Sequence, residues 1–203
     1  MLTVDWVVQH FLRGEKSVRP WTVPNFLTYF RFAVGFWLVA TVVIQPNELA
    51  SLKWWAFWLT MVAFATDFWD GWIARRWPSQ RSKLGEYIDP PADKLVVGAY
   101  MLYLYMLGSA SGWFEFTCFA LVMLREVGMW AYRLIGGADL FPVNSLGKLK
   151  TGFQMSALCA YGLLPVLPDV KNLAAPLLLV ATALTLWSLV VYLIRGPTRP
   201  SVA

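Results

Sequence analysis

Four aspartates between positions 67 and 93 carry the strongest chemical signal in this 203-residue chain. Asp67 and Asp70 lie three residues apart, and Asp89 and Asp93 four apart, so each pair shares one face of a helix. The stretch 76–84 between them contains Pro78 and runs into Gly85, which reads as a turn between two helices. An antiparallel pair of helices would aim one carboxylate pair at the other. A single aspartate at a helix end is ordinarily a cap or a solvated interfacial charge. Four gathered together repel one another and call for divalent cations. An oxygen-only donor set, with no His or Cys nearby, suits Mg²⁺ or Mn²⁺ over zinc. Gly71, Ala74 and Gly85 leave room for a flat ligand to approach the backbone, and Arg75 supplies a planar fork for phosphate. Paired carboxylates, cations, space and an arginine are the parts of a phosphoryl-type transfer, in which two metal ions clamp a diphosphate and stabilise its leaving oxygen.

Two basic clusters could hold an anionic second substrate. Arg125-Glu126 sits inside an otherwise apolar segment, with Arg133 eight residues on and near the same face. An arginine in such a segment is a functional-site hypothesis, with an ion pair to Glu126 as the plain alternative. Lys148 and Lys150 open a later apolar segment. They read either as membrane-surface anchors or, with Arg125, as a cationic pocket.

The elements that must position these residues are membrane helices. Hydrophobic residues make up 58% of the chain and charged residues 14%, against about 25% charged in soluble domains. That argues against a cytosolic enzyme, a disordered chain and a nucleic-acid module. Stretches 32–47, 95–114, 151–168 and 172–194 contain no Asp, Glu, Lys or Arg. The pattern predicts an all-α integral membrane protein with six transmembrane helices at about 25–45, 51–76, 87–108, 113–135, 146–167 and 172–195. Residues 1–20 form an interfacial segment, with an amphipathic helix over 3–13, and 24–195 a single six-helix catalytic core within one membrane domain, 1–203. Of the 17 Lys and Arg residues, only Lys53 and Lys171 fall at the outer face, which predicts both termini in the cytoplasm. Cys118 and Cys159 lie in apolar runs and read as buried hydrophobes.

The array Asp67-x-x-Asp70-Gly71-x-x-Ala74-Arg75…Gly85-x-x-x-Asp89-x-x-x-Asp93 resembles the signature of the CDP-alcohol phosphatidyltransferase family. The resemblance implies six transmembrane helices, an N-terminal interfacial helix and a homodimer. It implies that Asp67, Asp70, Asp89 and Asp93 ligate two ions, Mg²⁺ or Mn²⁺, with Asp93 also the general base on the acceptor hydroxyl. Gly71, Ala74 and Gly85 would accommodate the cytidine nucleotide and Arg75 its diphosphate. The run 24–31, Pro-Asn-Phe-Leu-Thr-Tyr-Phe-Arg, resembles the family's first-helix pattern, which adds Asn25, Thr28 and Arg31 to the nucleotide site. Arg125-Glu126 with Arg133, then Gly-Lys-x-Lys-Thr-x-x-Gln-Met over 147–155 and Asp-Pro-x-Ala-Asp-Lys over 89–94, resemble the branch that uses glycerol 3-phosphate as acceptor. Arg125, Arg133, Lys148 and Lys150 would then hold the acceptor phosphate. The implied activity is transfer of a phosphatidyl group from CDP-diacylglycerol, releasing CMP, at the cytoplasmic face of a bacterial inner membrane. Phosphatidylglycerol (the cardiolipin synthase branch) or inositol phosphate is the alternative acceptor within the family. Outside it stand an intramembrane prenyltransferase and a small cation transporter. The first needs two distant Asp-rich motifs, and the second gives the glycines and Arg75 no role.

Overall fold

The structure, a computed structural model, describes residues 22–77, 83–136 and 145–195. Six long helices account for almost all of them: α1 (Val23–Ile44), α2 (Leu49–Arg76), α3 (Lys83–Met106), α4 (Trp113–Gly136), α5 (Ser145–Leu163) and α6 (Lys171–Arg195). Among the described residues there is no strand. The interfacial segment 1–20 expected from the sequence lies outside the described residues, as do 78–82, part of the stretch expected to turn between the aspartate pairs.

Local chemistry sets the boundaries. Thr22 caps α1, its hydroxyl accepting from the Asn25 backbone N–H at 3.4 Å, and Pro24 sits in the first turn, where a missing N–H costs nothing. Pro46 follows the end of α1 at Gln45 and opens a short 3₁₀ turn into α2. α3 begins at Lys83, about a turn earlier than the sequence predicts, and contains Pro90 and Pro91 between Asp89 and Asp93. After α3 the chain reverses through Gly108 at φ +86°, a left-handed conformation that favours glycine.

An apolar core that includes Leu38, Leu104, Leu158 and Leu178 is interrupted by buried polar groups, and large apolar side chains also cover the outside. Arg31, Asn25, Thr28, Asp70, Lys150 and Gln154 are buried, while Phe26, Trp55, Phe68, Trp69, Trp113 and Ile194 are exposed. A water-soluble protein sorts these residues the other way. Several helix hydroxyls are satisfied locally: Thr41, Thr117, Thr182 and Thr185 each donate to the carbonyl four residues back. By length and composition, two stretches, Val23–Ile44 and Pro168–Tyr192, are apolar enough to cross a membrane. Six helices lie where the six spans are expected, and two of them are apolar enough by this measure to count as membrane spans.

α1 is the centre of the site's scaffold, packing most extensively on α3 and also on α2. Gly35 makes this possible: a Cβ there would lie 2.7 Å from Leu95 Cγ on α3. The close approach is one helical turn from Arg31 and brings α1 to the α3 aspartates. α5 packs on α6, and α4 against α3 and α6. Tyr103 of α3 donates to the Leu49 carbonyl at the start of α2, and Tyr161 of α5 donates to Glu115 of α4 at 3.1 Å. Cys118 and Cys159 are free thiols.

Candidate active site

Asn25, Thr28 and Arg31 recur at three-residue steps along α1 and are all buried at 1% exposure or less. The Arg31 guanidinium enters the space between α2 and α3 and meets all four aspartates. Its Nη1 lies 3.1 Å from Asp67 Oδ1 and donates to Asp93; its Nη2 donates to Asp70 and lies 4.0 Å from Asp89 Oδ1. The Thr28 hydroxyl donates to Asp89. The structure therefore brings together the two carboxylate pairs that the spacing placed on two helix faces. It also sets Arg31 in their midst.

The burial is uneven. The side chain of Arg31 is 2% exposed and that of Asp70 10%, whereas Asp89 and Asp93 are each 35% and Asp67 49% exposed. The ring is closed toward α1 and open on one side. Four carboxylates around one guanidinium leave three negative charges without a partner cation among the described residues. All the donors are oxygens, the set that hard divalent cations prefer. The residues thus fit Mg²⁺ or Mn²⁺ in chemistry and charge. Among the described residues, though, no group of three acidic, His or Cys side chains forms a ready-made metal cage. The guanidinium fork fills the middle of the ring instead.

The open side faces a cavity of about 170 Å³. Arg31, Asp67 and Asp93 line one part of it; Lys94, Glu126 and Gln154 are also in its wall. Glu126 is the hub of a second charge cluster. It accepts from Arg125 Nη1 at 2.8 Å and from Lys150, and Lys94 Nζ lies 3.6 Å away. These groups come from α3, α4 and α5. Arg125 does not line the cavity: its Nη2 donates to Ser188 of α6 at 2.7 Å, and the guanidinium lies 5.6 Å from the centre of the Tyr192 ring. The plain alternative for Arg125-Glu126, an ion pair, is present, and it belongs to a cluster with Lys94 and Lys150. Arg31 and Arg125 each keep a buried Nε–H without a partner.

Gly71, Ala74 and Arg75 stand on the last turns of α2, Arg133 on α4 and Lys148 on α5. The side chains of Ala74, Arg75, Arg133 and Lys148, and the burial of Gly71, lie outside what is described. Gly85 is buried near the start of α3. Sequence reasoning assigned no role to Lys94 or to Glu126 as a hub. The available signal was position: Lys94 directly follows Asp93, and Glu126 was the one acid near several cations.

The sequence matches the CDP-alcohol phosphatidyltransferase family over residues 21–193. A protein of Sodalis glossinidius named CDP-diacylglycerol–glycerol-3-phosphate 3-phosphatidyltransferase is 34% identical over 178 residues, covering 84% of this chain and 92% of that one. Proteins of the same name from Escherichia coli K12 and Cereibacter sphaeroides are 32% identical over 177 residues and 33% over 140. The Escherichia coli match covers 84% of this chain and 92% of the relative; the Cereibacter sphaeroides match covers 68% of this chain and 62% of that longer relative. With a family match spanning most of its length and an aspartate array gathered as the family signature requires, the chain belongs to the CDP-alcohol phosphatidyltransferases, a family of membrane transferases.

Proposed function

We propose that this protein transfers the phosphatidyl group of CDP-diacylglycerol to glycerol 3-phosphate, giving phosphatidylglycerophosphate and CMP. The observation that carries this reading is the shared cavity, with Asp67, Asp93 and Arg31 in its wall together with Lys94 and the Glu126 cluster. A carboxylate able to accept a proton and a group of cations able to hold a phosphate share one small space. The names of the bacterial relatives point to the same reaction.

Asp93 accepts the proton of the acceptor hydroxyl as its oxygen attacks the diacylglycerol-bearing phosphorus of the diphosphate. The bond from that phosphorus to the oxygen shared with CMP breaks, and CMP departs with the electron pair. Asp67, Asp70, Asp89 and Asp93 would hold two divalent cations, Mg²⁺ or Mn²⁺, which when bound neutralise the diphosphate and the charge on the departing CMP. Arg31 relieves the repulsion among the aspartates and fixes their orientation from α1. Thr28 steers Asp89 through its hydroxyl. Asn25, Gly71, Ala74 and Gly85 accommodate the cytidine nucleotide, and Arg75 its diphosphate. Arg125, Arg133, Lys148 and Lys150 supply positive potential around the acceptor phosphate.

The six helices form one membrane domain in a bacterial inner membrane, with both termini and the site on the cytoplasmic side. The basic residues at that end support this orientation. Two copies associate as a homodimer. The testing experiment supplies purified protein with CDP-diacylglycerol, Mg²⁺ and, in separate reactions, glycerol 3-phosphate, phosphatidylglycerol or inositol phosphate, and identifies the lipid by mass spectrometry. Phosphatidylglycerophosphate is the expected product. Cardiolipin or phosphatidylinositol phosphate would reassign the acceptor, and cation flux without CMP would remove the enzyme reading.

A further inference from the structure

We infer that Lys94 is the residue that binds the phosphate of the acceptor, that Glu126 is its positioning residue, and that the group recognised is a phosphomonoester dianion. This rests on the proposed phosphatidyl transfer and sharpens it to a residue and a charge state.

Three cations surround Glu126, but they are not equivalent. Arg125 is turned to Ser188 and Tyr192 on α6, and the side chain of Lys150 is 8% exposed and bound to Glu126. Lys94 alone of the three lines the cavity, with a side-chain exposure of 21% and the longest contact to Glu126, 3.6 Å. Lysine presents a compact charge on a flexible stem and can turn to a ligand without breaking a bidentate fork. Glu126 loses little when it does so, because Arg125 and Lys150 continue to satisfy it.

Charge and length define the ligand. Lys94, Arg125 and Lys150 against one Glu126 carboxylate sum to +2 among the described residues. A phosphomonoester dianion neutralises that sum. A phosphodiester monoanion leaves one charge uncompensated, and an uncharged polyol leaves both. The buried, unpartnered Nε–H of Arg125 adds an unsatisfied donor to the same cluster. Asp93 and Lys94 are consecutive on α3, with Cα atoms about 3.8 Å apart. A ligand whose hydroxyl meets the first and whose phosphate meets the second is therefore short, as a three-carbon alcohol phosphate is.

The test uses the full chain in CDP-diacylglycerol mixed micelles with Mg²⁺. CMP release is measured while each substrate is varied, and inorganic phosphate serves as a competitive probe of the anion site. Lys94→Gln should raise KM for glycerol 3-phosphate by about 10–100-fold, the loss of one charge-assisted hydrogen bond. It should raise the inhibition constant of phosphate by the same factor and leave KM for CDP-diacylglycerol within about twofold. Lys94→Arg, which keeps the charge, should recover most of both effects. Glu126→Gln should raise KM for glycerol 3-phosphate while Glu126→Asp restores part of it. If both KM values rise together in Lys94→Gln, or neither it nor the phosphate inhibition constant moves, the assignment of Lys94 is overturned. Should Lys94→Gln fail to accumulate, Glu126→Gln decides: an unchanged KM for glycerol 3-phosphate together with an unchanged phosphate inhibition constant in that variant would overturn the pairing of Lys94 with Glu126. Wild-type protein that releases no CMP with glycerol 3-phosphate overturns the transfer reading itself, and the inference with it.

Discussion

Replacing Arg31 with glutamine removes the one cation that, among the described residues, stands amid the four aspartates. The contacts do not count equally. Asp70 and Arg31 are nearly dry, with side chains 10% and 2% exposed, and removing one partner of a buried pair costs about 3–5 kcal/mol. Asp67, Asp89 and Asp93 are a third to a half exposed, so each of those contacts adds about 0–1 kcal/mol. The buried pair dominates, and Arg31→Gln should destabilise the metal-free protein by about 3–5 kcal/mol. For a chain of this length that lowers the thermal midpoint by roughly 6–20 °C. Divalent cations should take over the lost neutralisation, so millimolar Mg²⁺ should raise the midpoint of the variant more than that of the wild type. The assay is thermal unfolding of the detergent-purified protein followed by circular dichroism, in EDTA and in Mg²⁺. A loss in EDTA of only a degree or two, or an equal Mg²⁺ response in the two proteins, would refute the view that Arg31 neutralises the ring from within.

Asp93→Asn should cut CMP release by at least about 10²–10⁴-fold, the range of a lost general base, with the helical fold retained by circular dichroism; near-normal turnover would dismiss Asp93 as the base. Gly35→Ala forces a Cβ to within 2.7 Å of Leu95 Cγ and should cost about 1–3 kcal/mol in the denaturation midpoint, as overpacked cores do. Gly128→Ala, with nothing within 4 Å of the added carbon, is the matched control and should leave the midpoint unchanged or raise it slightly. Chelation with EDTA should stop CMP release, and Mg²⁺ or Mn²⁺ should restore it; turnover that persists in excess chelator would count against the carboxylate ring as a cation site.

The helices were legible in the sequence because an apolar run of helical length has few alternatives: the six predicted stretches fall on α1 to α6 with ends shifted by a few residues. The largest shifts follow from proline and turn chemistry. α3 starts at Lys83, four residues before the expected 87, and α5 stops at Leu163, ahead of Pro165 and four residues before the expected 167. Asp67 with Asp70, and Asp89 with Asp93, could be placed on shared faces because spacing within one helix is fixed. Arg31 could not be placed among them, since it is 36 to 62 positions away and its reach depends on the approach of α1 to α3 at Gly35. The direction of Arg125 was likewise set by Ser188 on α6, a partner 63 positions distant. Spacing reports which residues share a face. It does not report which neighbouring helix that face meets.

The central claim is that the acceptor hydroxyl attacks the diacylglycerol-bearing phosphorus and expels CMP. Glycerol 3-phosphate carrying ¹⁸O in its hydroxyl groups, incubated with the purified protein, CDP-diacylglycerol and Mg²⁺, tests it directly by mass spectrometry of both products. The account predicts phosphatidylglycerophosphate with ¹⁸O in its new phosphodiester bridge and CMP with none. Label in the nucleotide product, or a phosphatidyl product without it, would contradict the account.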